Sequence, residues 1–78
     1  MRRKVYFYAG DDILGFTFIN YYKDGVLSPR TVNKIMNLKQ MFESVSGQEV
    51  DKIKFFDFKE EIWYILSDIN GEKKFIKM

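Results

Sequence analysis

The sequence predicts an α+β domain in which one helix packs on an antiparallel sheet, in the order β-β-α-β-β-β. Three observations carry that expectation. Residues 27–47 (LSPRTVNKIMNLKQMFESVSG) read as a helix with its own start and stop, and the segments on either side are short, ring-rich and alternating. Asn70-Gly71 between two such segments is the strongest short-range signal for a hairpin.

Residues 3–9 (RKVYFYA) place Val5, Phe7 and Ala9 on one side of a strand and Lys4, Tyr6 and Tyr8 on the other, with the first set expected in the core. Gly10-Asp11-Asp12 is turn chemistry. Residues 13–22 (ILGFTFINYY) follow as a second strand, with Leu14, Phe16 and Phe18 on one side and Ile13, Thr17, Ile19 and Tyr21 on the other. A helix starting at Asp12 is disfavoured by Gly15 and by the β-branched Thr17 and Ile19. Lys23-Asp24-Gly25 is expected to turn the chain toward the helix.

Ser28 is placed to accept from free amides of the first helical turn, Pro29 loses no hydrogen bond at the first helical position, and Gly47 suits a left-handed stop. Leu27 and Val32 have the spacing of a hydrophobic staple, whereas Thr31 stands where a reciprocal capping box needs Glu or Gln. Val32, Ile35, Leu38, Phe42 and Val45 form an apolar stripe opposite Arg30, Asn33, Asn37, Gln40 and Ser44. Met36 and Met41 on its shoulders read as core fillers.

Residues 52–58 (KIKFFDF) make a third strand, and IWYIL and KKFIKM flank Asn70-Gly71 as two more. A competing reading makes residues 57–70 a second helix, giving β-β-α-β-α-β. Asp57 and Glu60 match a capping box, and Phe58, Ile62, Ile65 and Ile69 have helical spacing. The hairpin is preferred because Ile62, Trp63, Tyr64 and Ile65 in succession are poor helix formers. No repeat, low-complexity tract or linker divides residues 1–78, which read as a single small domain.

At 78 residues the chain is close to the size below which a core alone fails to offset chain entropy. A hydrophobic content of 46% and an aromatic content of 18% compensate, since each buried ring removes roughly 150–250 Å² from water. Without cysteine there is no disulfide or thiolate metal site, which fits a reducing compartment, and cytoplasmic is the expected location. No apolar run approaches the roughly 20 residues that span a bilayer, and Met1-Arg2-Arg3-Lys4 leads into alternating rings, so the N-terminus reads as part of the fold and no membrane role is expected. The net charge of +2 is small, but Arg2, Arg3 and Lys4 crowd one end and Lys73, Lys74 and Lys77 the other. Charged ends of this kind keep an aromatic domain soluble and guard edge strands.

Catalysis lacks parts. There is no His or Cys, and no Ser has an evident activating partner. Asp11-Asp12 and Glu60-Glu61 read as solvated turn residues, the glycines match no phosphate loop, and neither a metal nor another cofactor is implied.

An imbalance of area is more informative. A helix of about 18 residues shields roughly 270 Å² in plan, whereas five six-residue strands present about 480 Å² per face. The opposite face has no cover and is expected to receive Tyr6, Tyr8, Ile19, Tyr21 and part of the set Phe56, Phe58 and Trp63. The leading expectation is therefore a non-enzymatic module that binds a protein stoichiometrically, either a host protein or a second copy. Tyr6, Tyr8, Tyr21 and Trp63 would anchor the contact, and Arg2, Arg3, Lys73 and Lys74 would steer encounter.

The alternative is a single-stranded nucleic acid stacked on Tyr6 and Tyr8 within a border of Arg2, Arg3, Lys4, Lys54 and Lys74, although the aromatic-glycine strings of known RNA-binding sheets are absent. A sheet curled enough to bury both faces would support neither. Richness in Lys, Ile, Phe and Tyr is what an A/T-rich genome encodes, and a compact cysteine-free domain is common among phage and mobile-element genes. That association favours an inhibitor or regulator of a host protein.

Overall fold

Turn chemistry sets the strand pairing. The computed structural model describes residues 2–21 and 26–78. Met1, Tyr22 and the expected turn at Lys23-Asp24-Gly25 lie outside the described residues. β1 (Arg2–Ala9) and β2 (Asp12–Asn20) are joined through Gly10, whose φ of 61° occupies the glycine-favoured first position of a tight hairpin. After α1 (Pro29–Ser46) come β3 (Lys52–Asp57), β4 (Ile62–Ile69) and β5 (Glu72–Lys77). Asn70 and Gly71 have φ of 53° and 81°, the paired positive values of a two-residue hairpin, so residues 57–70 do not form a second helix. The β3–β4 turn is organised by Asp57. Its Oδ1 accepts from the amides of Lys59 and Glu60 at 2.9 and 3.0 Å, and its carbonyl accepts from the Glu61 amide at 2.7 Å.

The strands form one antiparallel sheet in the order β2-β1-β3-β4-β5, with α1 across one face. Both helix ends are as expected. The Thr31 amide donates to Ser28 Oγ at 3.2 Å, and Gly47 is left-handed with its amide on the Glu43 carbonyl. Val5, Phe7, Ile35 and Phe55 are fully buried between helix and sheet. Where the helix does not reach, Tyr21 and Leu27 close the core: the Tyr21 ring meets Phe55 at 5.0 Å, and Phe55 stacks on Tyr64 at 5.0 Å and 7°. Val26 also bridges to Lys74 on β5. Thus the chain entering the helix supplies cover that the area comparison assigned to the helix alone.

Two expectations are corrected. Ile19 and Tyr21 were expected on the uncovered face, but Ile19 is buried and Tyr21 packs into the covered core. The reason lies at Gly15, where a Cβ would come within 2.4 Å of the Phe42 ring. The helix approaches β2 so closely that only glycine fits there, and the irregularity between Phe7/Tyr8 and Gly15/Ile13 lets Leu14 reach the core while Phe16 and Phe18 turn outward. The second correction concerns Val45 and Met41, expected on or beside the buried stripe but 84% and 49% exposed, whereas Met36 does pack against the core. Glu43 faces the sheet side, accepting from the Val50 amide at 2.8 Å, and Val45 lies about 200° further round the helix.

Candidate functional site

The surface that α1 leaves uncovered follows from register. Val5 and Phe7 point into the core, so Lys4, Tyr6 and Tyr8 point the other way. Directly opposed residues share a face: Lys4 lies beside Phe18, Tyr6 beside Phe16 and Lys54, Tyr8 beside Ile13 and Lys52, and Phe56 beside Trp63. Further along, Lys54 neighbours Ile65 and Ile65 neighbours Ile76. One half of the face is therefore aromatic and cationic, and the other carries Ile65 beside Ile76, then Ser67 beside Lys74 and Ile69 beside Glu72.

In the aromatic half, Tyr6 meets Tyr8 and Phe16 at ring distances of 6.4 Å, Phe16 meets Phe18 edge-on at 6.0 Å, and Phe56 meets Trp63 at 5.3 Å. Phe16 is 50% exposed and Phe58 84%. Arg2 and Lys4, with the rings of Tyr6, Tyr8, Phe18, Phe56, Phe58 and Trp63, line a trough of about 820 Å³, and Phe16 lies beside it. Burial pushes the Tyr8 phenol up, with Tyr6 adding to the effect, so it stays neutral as a hydrogen-bonding group.

The cations rest on ring faces. Arg2 lies 4.4 Å from the Phe18 centroid, Lys4 Nζ 4.2 Å from Phe16, and Lys54 Nζ 4.4 Å from Tyr8 and 4.8 Å from Trp63. Lys52 Nζ is 6.0 Å from Tyr8. The ion pairs lie elsewhere: Arg3–Asp57, Lys39–Glu43, Lys73–Asp68 and Lys77–Glu60. Among the described residues, none of Arg2, Lys4, Lys52 and Lys54 has a carboxylate partner. No position that β1, β2 or β3 presents to this face is acidic. Cations held on rings and left unanswered by acid are equipped to meet negative charge on another molecule.

Of the residues expected from sequence, Arg2, Tyr6, Tyr8 and Trp63 come together here. Arg3 borders the trough, but its guanidinium turns to the covered side, 3.3 Å from Asp57 Oδ2 and 5.9 Å from the Phe55 centroid. Tyr21 belongs to the core. Lys73 pairs with Asp68 at 3.3 Å, and Lys74 sits on β5 opposite Ser67, away from the trough. Sequence reasoning missed Phe16 and Phe18, which Gly15 would have revealed had its close approach to the helix been inferred, and Lys52, whose alternation with buried Ile53 carried the signal.

The face carries charge, ring surface and aliphatic branches, the means of contact and of an electrostatic field. Among the described residues, no helix is long and apolar enough to cross a membrane, and no cluster of three or more His, Cys, Asp or Glu side chains could hold a metal. Comparison of the chain with protein-family models, with curated proteins and with solved structures finds no match.

Proposed function

We propose that this protein is a non-enzymatic binding module that associates stoichiometrically with the acidic surface of another protein through its uncovered sheet face. The observation that carries this reading is the set of cations on ring faces, unanswered by carboxylate, beside the aliphatic pair Ile65 and Ile76. Exposed rings provide contact area, and unpaired cations raise the rate of encounter and reject basic partners. A second copy stacked on this face would bring no carboxylate from its own β1, β2 or β3 to answer Arg2, Lys4, Lys52 and Lys54, which favours a different molecule as the partner here. A protein that works by occupying a partner's surface is an inhibitor or regulator, a role common among phage and mobile-element products in the cytoplasm.

A single-stranded nucleic acid is the second reading. It is favoured by the alternation of cation and ring across β1 and β3 at a strand spacing of about 7 Å between same-face neighbours. The pair Ile65 and Ile76 has no part in that reading. Pull-downs with wild type, with Phe16→Ser/Trp63→Ser and with a Val45→Ser control, each with and without nuclease, separate the two. The expected result is a stoichiometric protein that survives nuclease, is lost with the double variant and is kept by the control. Recovery only of nuclease-sensitive material, falling steeply with salt as counterion release requires, would transfer the site to nucleic acid. Equal recovery by all three proteins would remove the face from binding altogether.

A further inference from the structure

The two edges of the sheet are guarded very differently. β5 carries Glu72, Lys73, Lys74 and Lys77 among its residues, and the bridge from Val26 closes part of its outer side. β2 is longer, has Asp12 as its one charged residue, and exposes Ile13, Phe16 and Phe18 by 55%, 50% and 39%. The side chain that reaches its backbone from the helix is Lys34, whose Nζ donates to the Phe18 carbonyl at 2.8 Å. A long, nearly uncharged edge is a template for another strand.

The ends of that edge differ in sign. Asp11 and Asp12 stand at one end, and at the other a cleft of about 730 Å³ is lined by Arg2, Asn20, Arg30 and Lys34. We propose that β2 pairs antiparallel with β2 of a second copy, continuing the two five-stranded sheets into one. Reversing the strand about a two-fold axis brings the acidic turn of each copy toward the cationic cleft of the other, so the complementarity is made twice. A foreign strand need not carry this polarity; a reversed copy of β2 always does. A ladder centred on Phe16 sets Phe16 against Phe16 of the other copy and, past the bulged Leu14, Ile13 against Phe18, which brings Asp12 and Asp11 to Ile19 and Asn20 beside the cationic cleft. Lys34 releases the Phe18 carbonyl to the arriving strand and turns to the arriving carboxylates.

This seam also keeps the two sets of cations apart. The β1 cations of the two copies are separated by three strand spacings, about 14 Å, which exceeds the Debye length of about 8 Å at physiological salt. Both uncovered faces lie on the same side of the joined sheet, and the pairing does not depend on what they bind.

Sedimentation velocity over a concentration series tests the proposal. Wild type is expected to dimerise. Asp11→Lys/Asp12→Lys and Arg30→Glu/Lys34→Glu are each expected to raise the dissociation constant at least about tenfold, and their combination to restore it. Phe16→Lys, with its fold checked by circular dichroism, places a guard charge on the edge and should leave monomer, whereas Trp63→Ser should leave the dimer intact. A wild-type monomer up to millimolar concentration overturns the proposal, as does a dimer indifferent to the charge reversals and to Phe16→Lys.

Discussion

The two faces of this sheet use the same residue types in opposite ways. On the covered face, rings pack on rings and charge is answered: Phe55 lies against Tyr21, Tyr64 and Phe75, and Arg3 meets Asp57. On the uncovered face, rings carry cations, and no acid from β1, β2 or β3 answers them. The difference lies in how each face compensates its charge. A charge brought near a core needs its partner within the same molecule, because removing it from water without compensation is costly. A charge left on exposed rings keeps its hydration and its field available to a second molecule.

The sharpest break of that comparison is between two phenylalanines. Phe55→Ala removes a fully buried ring and is expected to cost about 3–5 kcal/mol in denaturant unfolding, enough to threaten the fold of so small a domain. Phe16→Ser, on the other face, is expected to stay within about 0.5 kcal/mol of wild type. Equal losses would mean that Phe16 is a core residue and that the uncovered face is not free.

A smaller effect sharpens the comparison at β2. Gly15→Ala forces a Cβ against the Phe42 ring and is expected to destabilise by about 1–3 kcal/mol. Phe42→Leu in the same chain should recover part of that loss, giving a favourable coupling in a double-mutant cycle. Additive losses would show that the helix does not approach β2 as described.

The gentlest test is pH. Hydrogen bonds from the Glu60 and Lys59 amides, with Arg3 nearby, hold the Asp57 carboxyl below its ordinary value, and the Val50 amide with Lys39 does the same for Glu43. Both groups have folded values below their unfolded ones. Their contribution is therefore complete above the unfolded carboxylate range of about 4 and is lost as pH falls through the folded values. The thermal midpoint should fall on acidification below that range, and less steeply in Asp57→Asn, which keeps an acceptor for the turn amides but no titrating charge. An unchanged acid limb in the variant would assign the acid sensitivity to other groups.

Much of the architecture was legible residue by residue. Ser28, Pro29 and Gly47 mark the ends of α1, and Asn70-Gly71 decided hairpin against helix for residues 57–70. Tyr6 and Tyr8 were legible as face residues from alternation alone, and Trp63 only as one of a set with Phe56 and Phe58. Tyr21 was not, because β2 is apolar on both sides and its pattern gives no direction. Nor was the pairing of charge: Lys73 and Lys54 look alike in sequence, yet Lys73 faces Asp68 across a strand pair and Lys54 faces rings.

Local sequence by itself determined where the chain turns and where its helix begins and ends. A positive φ, a missing amide hydrogen or an unsatisfied amide is settled within a few residues of the place where it arises. Only the tertiary structure decided which side of β2 meets the helix and which cations go without a partner. A two-sided apolar strand is symmetric until a neighbour breaks the tie, and here the Phe42 ring does so by occupying the space beside Gly15.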